Sequence, residues 1–330
     1  MILFGNPWLH GLVVGAVLLG VLLGAAAWSI WWERKFSALL QNRYGVNVVG
    51  PYGLLQPLAD AFKMFQKEDL TPARADKVLY NMAPPMVLFC VLGTLAVVPI
   101  TSTLAVANLD IGVLFMIALG SMTVIPLWMA GWASNNKYAL LGGMRAVAQS
   151  IAYEIPLVLS ALVPVVLAGS MNITEIANAQ AGYRWYLWWP AGPGLLAGVI
   201  FLLASLAEAN RIPFDVPEAE SELIAGVSVE YTGMKFGMFL LTEYLHTIIT
   251  SIVVATLFMG GWDGPFLPGL HWTLIKTFLV FTLITWIRWS WVRLRSDQLM
   301  RLCWKWFLPL SLVALAWAAV WVRFFPGGTP

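Results

Sequence analysis

The chain has 330 residues, of which 60% are hydrophobic and only 11% are charged. Soluble globular domains carry about a quarter charged residues, so this composition excludes an ordinary soluble enzyme. The mean hydropathy of +0.77 indicates a chain that lies mostly in lipid, and the net charge of +2 then says little about partners.

Apolar residues occur in runs of about 20, the length at which a helix crosses the hydrocarbon core of a bilayer. Several runs contain Gly and Pro, which membrane helices tolerate where neighbouring groups satisfy the freed backbone. The sequence therefore predicts an all-α polytopic membrane protein with about eight transmembrane helices. The runs are roughly 9–32, 82–106, 111–133, 146–168, 186–207, 236–259, 272–287 and 306–323.

Basic residues are concentrated in alternate connections between these helices, with only three of the 19 elsewhere. An excess of Lys and Arg marks the cytoplasmic side of a membrane protein. The pattern predicts a single membrane domain over 1–330 with both termini on the outer side. The first helix lacks a preceding basic segment and is expected to be retained. The inner loops are 33–80, 134–152, 208–235 and 288–305, and the exceptions are Arg184, Lys276 and Arg323.

The first inner loop contains an amphipathic segment at 54–67. Four large apolar side chains share one helical face, and three charged side chains share another. This pattern predicts a helix that lies at the membrane interface or under a soluble partner. We favour interfacial anchoring over a direct catalytic role. The apolar face comprises Leu55, Leu58, Phe62 and Phe65, and the polar face Asp60, Lys63 and Lys67.

The third inner loop, 208–235, is acidic, with six carboxylates against two basic residues. Asp215, followed by Pro217 and Glu218, is typical of a helix start, so we expect a helix from Asp215. Such a helix would place Glu218 and Glu222 on one face and Glu220 on another. Like-charged carboxylates in a restricted space cannot all ionise cheaply. A solvated acidic loop is the alternative interpretation.

Other acidic residues lie at membrane depth. Glu243 is inside the sixth run, and Glu154 and Glu208 are at the edges of others. A charge at the bilayer centre costs on the order of 2.5–3.5 kcal/mol, so such residues usually mark ion or proton routes. Together with Glu230 and the acids of the third inner loop, they form a candidate chain of protonatable sites.

Metal chemistry has little support in the sequence. Glu243 and His246 have the spacing of half a carboxylate–histidine metal site. The other two histidines, His10 and His271, fall near the outer face. The two cysteines are too few for the four ligands that an iron–sulfur cluster usually needs. We therefore expect no metal in this chain.

Recognisable motifs occur in the inner loops and in the helices next to them, over about 33–310. The first two inner loops and the start of the helix after them contain Glu33-Arg-Lys, Asn47-Val-Val-Gly-Pro-Tyr-Gly with the residues to Asp60, Gly131-Trp-Ala-Ser-Asn-Asn-Lys with the residues to Arg145, and Tyr153-Glu-Ile-Pro. The later segments contain Ala207-Glu-Ala-Asn-Arg-Ile-Pro-Phe-Asp, Val229-Glu-Tyr, Thr242-Glu-Tyr, Asp297-Gln-Leu-Met and Trp304-Lys-Trp-Phe-Leu-Pro. In this order, these segments resemble those of the H subunit family of respiratory complex I, whose mitochondrial members are called subunit 1.

This resemblance implies a membrane subunit of the proton-pumping NADH:quinone oxidoreductase. The subunit would form much of the quinone-access tunnel and couple quinone reduction to proton translocation, with quinone as the substrate. It would bind no cofactor itself. FMN, the iron–sulfur clusters and the groups that protonate quinone would belong to hydrophilic-arm partner subunits. Other membrane-arm subunits and lipid would surround it, and nucleic acid is not an expected partner. The implied location is a bacterial inner membrane or, as a second choice, an organellar one.

The resemblance also assigns residues to roles. Four residues would lie near the quinone tunnel or its mouth: Arg34, Asp60, Arg288 and Arg293. Eight would form the proton path: Glu154, Glu208, Asp215, Glu218, Glu220, Glu222, Glu230 and Glu243. Arg145 and Arg211 would pair with these acids.

Four positions depart from the family pattern. Val46 and Val48 stand where bacterial members often have Pro and Arg. Val292 and Ser296 stand where the family favours Pro and an aromatic residue. These departures bear on the tunnel wall near the last inner loop and on the type of quinone.

Other functions compete with this interpretation. The equivalent subunit of a membrane-bound hydrogenase, or of another dehydrogenase that does not use NADH, would share the fold and several acids. A stand-alone proton-coupled transporter would also carry acids in the membrane, but it usually has internal repeats, and none is visible here. A passive scaffold would carry the acids without a proton role.

Overall fold

A computed structural model describes residues 7–102, 104–182, 184–190, 192–218, 220–265 and 268–324, with no side chains described for 7–12 and 220–221. Within these ranges the regular structure is helical, without strands. The helices are α1 (Pro7–Leu40), α2 (Gln56–Gln66), α3 (Lys77–Leu95), α4 (Gly112–Met122), α5 (Val124–Ala133), α6 (Lys137–Ala168), α7 (Ile173–Asn178), α8 (Pro193–Glu208), α9 (Glu220–Leu223), α10 (Gly233–Phe258), α11 (Leu270–Ser290), α12 (Ser296–Leu302) and α13 (Leu308–Phe324).

Every predicted apolar run corresponds to a helix or to a helix pair. In the described part of the chain, seven helical spans are long and apolar enough to cross a bilayer, and α8 is a shorter apolar helix. Helices α4 and α5 make one span interrupted at Thr123, and a π-helical turn at Cys303–Phe307 joins α12 to α13. The predicted all-α polytopic membrane fold is therefore confirmed.

Two long helices occupy the centre of the bundle. Helix α6 packs against α5, α8 and α13, while α10 packs against α1, α3, α8 and α11. Threonine and serine hydroxyls inside α10, such as those of Thr247 and Ser251, donate to the carbonyl four residues earlier. Polar side chains are therefore accommodated in the interior without distant partners. The central position of α6 and α10 brings Glu154 and Glu243 away from lipid.

The predicted amphipathic helix of the first inner loop is present as α2. Pro57 lies in its first turn, where a missing N–H removes no helical hydrogen bond. Phe62 and Phe65 are 66% and 67% exposed in the isolated chain, as expected of a face that meets lipid or a partner. Asp60, on the other face, contacts α1.

The prediction of a helix from Asp215 is wrong. Residues 209–218 form turns and irregular backbone, and the helical turn that follows in the described chain, α9, begins at Glu220. Pro213 and Pro217 explain the difference, because each disfavours helical geometry at the preceding residue and lacks an N–H donor. The segment instead bends back against α6, where Gln149 donates to the carbonyls of Ala207 and Phe214 at 2.7 and 2.9 Å. Glu218 and Glu222 consequently do not share a helical face.

A lysine caps the C-terminal end of α10. The ammonium group of Lys276 on α11 donates to the carbonyls of Met259, Gly261 and Asp263 at 2.5, 2.9 and 2.5 Å. It also lies 4.0 Å from the ring centroid of Trp185. A cation at a helix C-terminus satisfies carbonyls that the helix leaves open. Lys276, one of the three basic residues outside the inner loops, therefore has a structural role in this fold.

Candidate functional site

The centre of the candidate site is a buried cluster of two acids and two arginines. Arg211, from the third inner loop, lies between Glu33 on α1 and Glu243 on α10, with N···O distances of 2.9 and 3.1 Å. Arg288 on α11 lies 2.6 Å from Glu33 and 3.6 Å from Glu243. The cluster is formally neutral, as buried charges require. It ties three helices to one loop.

The environment of Arg211 fixes its charge. Its side chain is fully buried, and its guanidinium carbon lies 4.5 Å from the centre of the Tyr244 ring. Burial alone would lower the pKa of Arg211, but Glu243 and Glu33 outweigh it and raise the pKa. Arg211 therefore remains a cation at any physiological pH and holds the carboxylates around it.

A polar cavity of about 50 Å³ lies beside this cluster, with room for a small number of water molecules. Four titratable side chains line it, and they come from α8, α10 and the turns between α8 and α9. These are Glu208, Glu218, Glu243 and His246, accompanied by the polar Asn210 and Thr242. Three acids that are distant in sequence thus line one small polar cavity.

Glu218 is the member of this group that lies outside the spanning helices. Removal from bulk solvent, together with the neighbouring Glu243 and Asp215 carboxylates, raises the pKa of Glu218 to about 8. The guanidinium groups of Arg288 and Arg211 oppose this shift only in part. A carboxyl group of this kind holds or releases a proton close to neutral pH, which is the property that a relay needs.

Glu208 connects the first cavity to two others. A second cavity of about 30 Å³ is lined by Glu208, His246 and Thr250, and a third of about 10 Å³ is shared by Glu208 and Glu154. The side chain of Ser121 on α4 donates a hydrogen bond to Glu154. These contacts extend the row of carboxyl groups from α10 across α8 to α6.

Gly120 makes room for Glu208. A Cβ atom at this position would collide with the Oε1 atom of Glu208. The absence of a side chain therefore lets the carboxyl group approach the α4 backbone at the point where α4 ends. The sequence gives no sign of this role, because the two residues are 88 positions apart.

The remaining predicted acids lie elsewhere. Glu222 is 44% exposed and pairs with Arg145 at 2.5 Å, and the hydrogen bond from Arg145 lowers the pKa of Glu222. Glu230 accepts a hydrogen bond from Asn136 at 2.6 Å. Asp215 lies close enough to Glu218 to influence its charge. The side chain of Glu220 lies outside the described part of the chain.

The predicted quinone residues fall in three places. Arg34 and Asp60 form an ion pair of 2.8 Å between α1 and α2. Arg288 belongs to the buried cluster. Arg293, between α11 and α12, lies near Glu222 and helps to lower the pKa of that residue.

An apolar cavity of about 210 Å³ lies between α1, α2 and α10. Asp60 is the charged side chain in a lining that is otherwise apolar or glycine. Ile30 and Leu240 in this lining are one helical turn from Glu33 and Glu243, so the cavity lies next to the buried cluster along α1 and α10, although no cluster residue lines it. The lining comprises Leu23, Ala27, Ile30, Pro57, Asp60, Ala61, Met64, Phe65, Met234, Gly237, Leu240 and Leu241.

Three residues of the site have no role assigned from the sequence. Glu33 enters the sequence argument only within a motif, yet its carboxylate bridges both arginines of the cluster. His246 enters only as half of a metal site, and Gln149 does not enter at all. In the described residues, no group of three His, Cys, Asp or Glu side chains is arranged to hold a metal. Glu33 could have been singled out from the sequence, because it ends the first apolar run and is followed by two basic residues.

Comparison with known proteins places the chain in a family. A family model described as NADH dehydrogenase matches residues 13–319. The H subunit of the NADH-quinone oxidoreductase of Dehalococcoides mccartyi (strain CBDB1) is 45% identical over 319 residues, which cover 97% of this chain and 89% of that protein. The H subunit of the Brevibacillus brevis enzyme is 43% identical over 321 residues, covering 96% and 94%.

A third relative, the H subunit of the NADH-quinone oxidoreductase of Cupriavidus pinatubonensis, is 43% identical over 340 residues, covering 97% of this chain and 95% of that protein. These matches run through all the helices that carry the buried cluster and the cavities. With the helical spans described above, they make the chain a multi-pass membrane protein. The chain belongs to the NADH dehydrogenase family, in the group formed by the H subunits of NADH-quinone oxidoreductases, as its loop motifs predict.

Proposed function

We propose that this chain is the membrane subunit of a proton-pumping NADH:quinone oxidoreductase, in which it forms the quinone-access tunnel and couples quinone reduction to proton movement. One observation carries the proposal. An apolar cavity, a buried ion cluster and a row of carboxyl groups follow one another through the same bundle.

The apolar cavity between α1, α2 and α10 is the proposed quinone access. An isoprenoid tail needs an apolar lining, and a small number of polar groups then fixes its orientation. The pair formed by Asp60 and Arg34 supplies such groups at the α2 side. Glu33 and Arg288 supply them at the inner end, one turn beyond the cavity.

The carboxyl groups are the proposed proton path. Glu243, Glu218, Glu208 and Glu154 line successive cavities, so water can pass protons between groups that do not touch. The buried cluster would sense the charge of the quinone head group, because Glu243 belongs both to the cluster and to the first cavity. A charge change at the quinone would then alter the proton affinity of the neighbouring carboxyl groups.

The electron carriers are proposed to belong to partners. Cys90 on α3 and Cys303 in the π-helical turn before α13 are both buried, and two thiols are too few for the four ligands that an iron–sulfur cluster usually needs. FMN and the iron–sulfur clusters would be in hydrophilic-arm subunits that cover the inner loops, next to further membrane-arm subunits. This chain would provide the lipid-side wall and the proton conduit.

The proposed location is the inner membrane of a bacterium, with both termini on the outer side. The distribution of Lys and Arg supports this orientation. Lys276 is one of the basic residues outside the inner loops. It caps the C-terminal end of α10, so a structural role explains a lysine on the outer side of the membrane.

The hydrogenase and transporter functions remain the alternatives. The names of the three relatives given above favour NADH as the electron donor for their own complexes. A stand-alone transporter would require a substrate site with polar groups that fit a solute. The apolar cavity has only Asp60 as a charged group in its lining, which favours a quinone over a polar solute.

The first experiment is gentle purification of the tagged chain from its native membrane, with an assay of NADH-driven, inhibitor-sensitive quinone reduction. We expect iron–sulfur partner subunits to co-purify with this activity. A large complex that ignores NADH and oxidises hydrogen would support the hydrogenase alternative. A chain that purifies intact without redox partners would support the transporter and overturn the proposal.

A further inference from the structure

His246 is a polar side chain in the middle of the bundle that neither the tunnel nor the ion cluster requires. Its Nε2 atom lies 3.5 Å from Oε1 of Glu208, and its Nδ1 atom lies 3.5 Å from the hydroxyl of Thr250. Its side chain is only 12% exposed. The ring lines both the first and the second cavity, so it stands at their junction.

The groups around the ring decide what it can do. Helix α8 presents Glu208, the turns after α8 present Glu218, and α10 itself presents Glu243 one turn earlier on the same face. The other helices around the two cavities contribute apolar and hydroxyl side chains. Among the described residues that line the two cavities, the ring therefore faces acids and neutral groups. The neutral groups include Val87, Val91 and Thr94 of α3, Thr123 and Leu127 of the α4–α5 span, and Ser205 of α8.

The position of Glu208 suits proton transfer between its carboxyl group and the His246 ring. Its Oε1 atom faces Nε2 of His246 on one side and the α4 backbone at Gly120 on the other. A separation of 3.5 Å is longer than a formed hydrogen bond, and a small rotation of either side chain closes it. Proton-transfer contacts are commonly long in the resting state and shorten when the reaction proceeds.

We propose that His246 is a proton-relay residue that carries protons between Glu208 and the cavity lined by Glu218 and Glu243. The inference rests on the proposed proton path and assigns to it a member that is not a carboxylate. An imidazole suits this position because its Nε2 atom can accept a proton and release it again near neutral pH, while Nδ1 keeps its contact with the Thr250 hydroxyl.

Two proton transfers make up the relay step. The protonated carboxyl group of Glu208 gives its proton to Nε2 of neutral His246, which leaves a carboxylate beside an imidazolium. The imidazolium then gives the proton on Nε2 to water in the first cavity, which His246 and Glu208 both line, and becomes neutral again. That water protonates the carboxylate of Glu218 or Glu243. No electron moves in this sequence, and the reverse order carries a proton in the opposite direction.

The test compares a pair of similar size, His246→Gln and His246→Glu, in the assembled complex in liposomes. Both side chains fill the same space, but only the glutamate can take up and release a proton. We expect His246→Gln to lower the rate of NADH-driven proton pumping roughly tenfold or more, within the range of a positioned acid–base group. His246→Glu should retain a pumping rate well above that of the glutamine variant.

A matched control is His271→Asn, because His271 is exposed and lies beside Trp272 at the start of α11. This variant should pump like the unmodified complex. A second pair, His246→Asn and His246→Asp, applies the same comparison with shorter side chains if the first pair fails to assemble. Equal pumping by the two members of an assembled pair would show that the ring only fills space and would overturn the relay role.

A Glu208→Gln variant separates this inference from the proposed function. If Glu208→Gln pumps normally, the carboxylate path itself fails, and His246 has nothing to serve. If Glu208→Gln stops pumping while His246→Gln pumps normally, the path stands and only the role of His246 is rejected. Loss of pumping in both, with recovery in His246→Glu, supports the relay.

Discussion

The Nη1 atom of Arg211 lies 2.9 Å from the Oε2 atom of Glu33, although 178 residues separate them in the sequence. Both side chains are almost completely buried. The pair fastens the third inner loop to α1, and the contacts of Arg211 with Glu243 and of Arg288 with Glu33 extend it to α10 and α11. The site thus depends on a charge network that no single segment contains.

Removal of Arg211 should destabilise the protein strongly. Arg211→Met leaves the carboxylates of Glu33 and Glu243 with only Arg288 between them. Breaking a buried ion pair by deleting one partner costs about 3–5 kcal/mol. The measurement is the free energy of unfolding in mixed micelles, from a detergent titration. The control is Arg301→Met, an exposed arginine of α12. Equal stability of the two variants would contradict the structural importance of the cluster.

Substitution of Gly120 by Ala should displace Glu208. The new Cβ atom would collide with Oε1 of Glu208, so the carboxyl group must leave its position against α4. Because a misplacement of about 1 Å can cost up to a hundredfold in rate, we expect a clear loss of proton pumping. Pumping in liposomes is the measurement. Gly24→Ala, where no atom lies within 4 Å of the added Cβ, is the matched control. A normal pumping rate in Gly120→Ala would argue against Glu208 as a relay member.

Glu218 should make the stability of the protein depend on pH. Its folded-state pKa is raised from 4.5 to about 8, so the folded protein keeps this proton to a higher pH than the unfolded chain does. The stabilisation is complete below about 4.5 and is lost as the pH rises to about 8. We expect the melting temperature of the unmodified protein to fall relative to that of Glu218→Gln across this window. Glu175→Gln, an exposed acid of α7, is the control. If the melting temperatures of Glu218→Gln and of the unmodified protein change with pH in parallel, the prediction is refuted.

The apolar cavity should limit access of a long-tailed quinone. Ala27 on α1 lines this cavity, and a phenylalanine there would occupy part of it. We expect Ala27→Phe to raise the KM for the quinone by about tenfold, which corresponds to about 1.4 kcal/mol of lost binding. Gly24→Phe, one turn away in open space, is the control. An unchanged KM in Ala27→Phe would place the quinone elsewhere.

Lys276 should stabilise the fold without serving the proton path. Lys276→Met removes the donor shared by the carbonyls of Met259, Gly261 and Asp263. Buried acceptors without a partner cost about 1–3 kcal/mol each. Thermal unfolding of the purified complex should show a lower melting temperature, whereas the exposed-lysine variant Lys305→Met should show little change. An undiminished melting temperature would mean that water replaces the ammonium group.

The fold was largely predictable because bilayer thickness sets the length of apolar runs. Each run of about 20 apolar residues became a helix or a helix pair, and the spacing of Leu58, Phe62 and Phe65 correctly indicated the amphipathic α2. The prediction of a helix from Asp215 was wrong because it gave the capping pattern more weight than Pro213 and Pro217. The turn that contains these two prolines is stabilised by Gln149 of α6, which donates to the carbonyl of Phe214. Such a contact between distant segments cannot be recognised in the local sequence.

The sequence indicated some members of the candidate site but not how they are arranged. Glu208, Glu243 and Arg211 attract attention as charges within apolar sequence, but nothing local says that Arg211 selects Glu33 and Glu243. Gly120 acts by lacking a side chain beside a residue far along the chain. These relationships depend on helix packing, so they become visible only in the folded chain.

The decisive measurement is proton pumping by a Glu208→Gln complex in liposomes, recorded together with NADH-driven quinone reduction. Glu175→Gln makes the same change of charge at an exposed position and controls for it. Because Glu208 joins all three small cavities, we predict that Glu208→Gln lowers the pumping rate at least about tenfold while Glu175→Gln does not. Unchanged pumping and quinone reduction in a fully assembled Glu208→Gln complex would contradict the proposed carboxylate path.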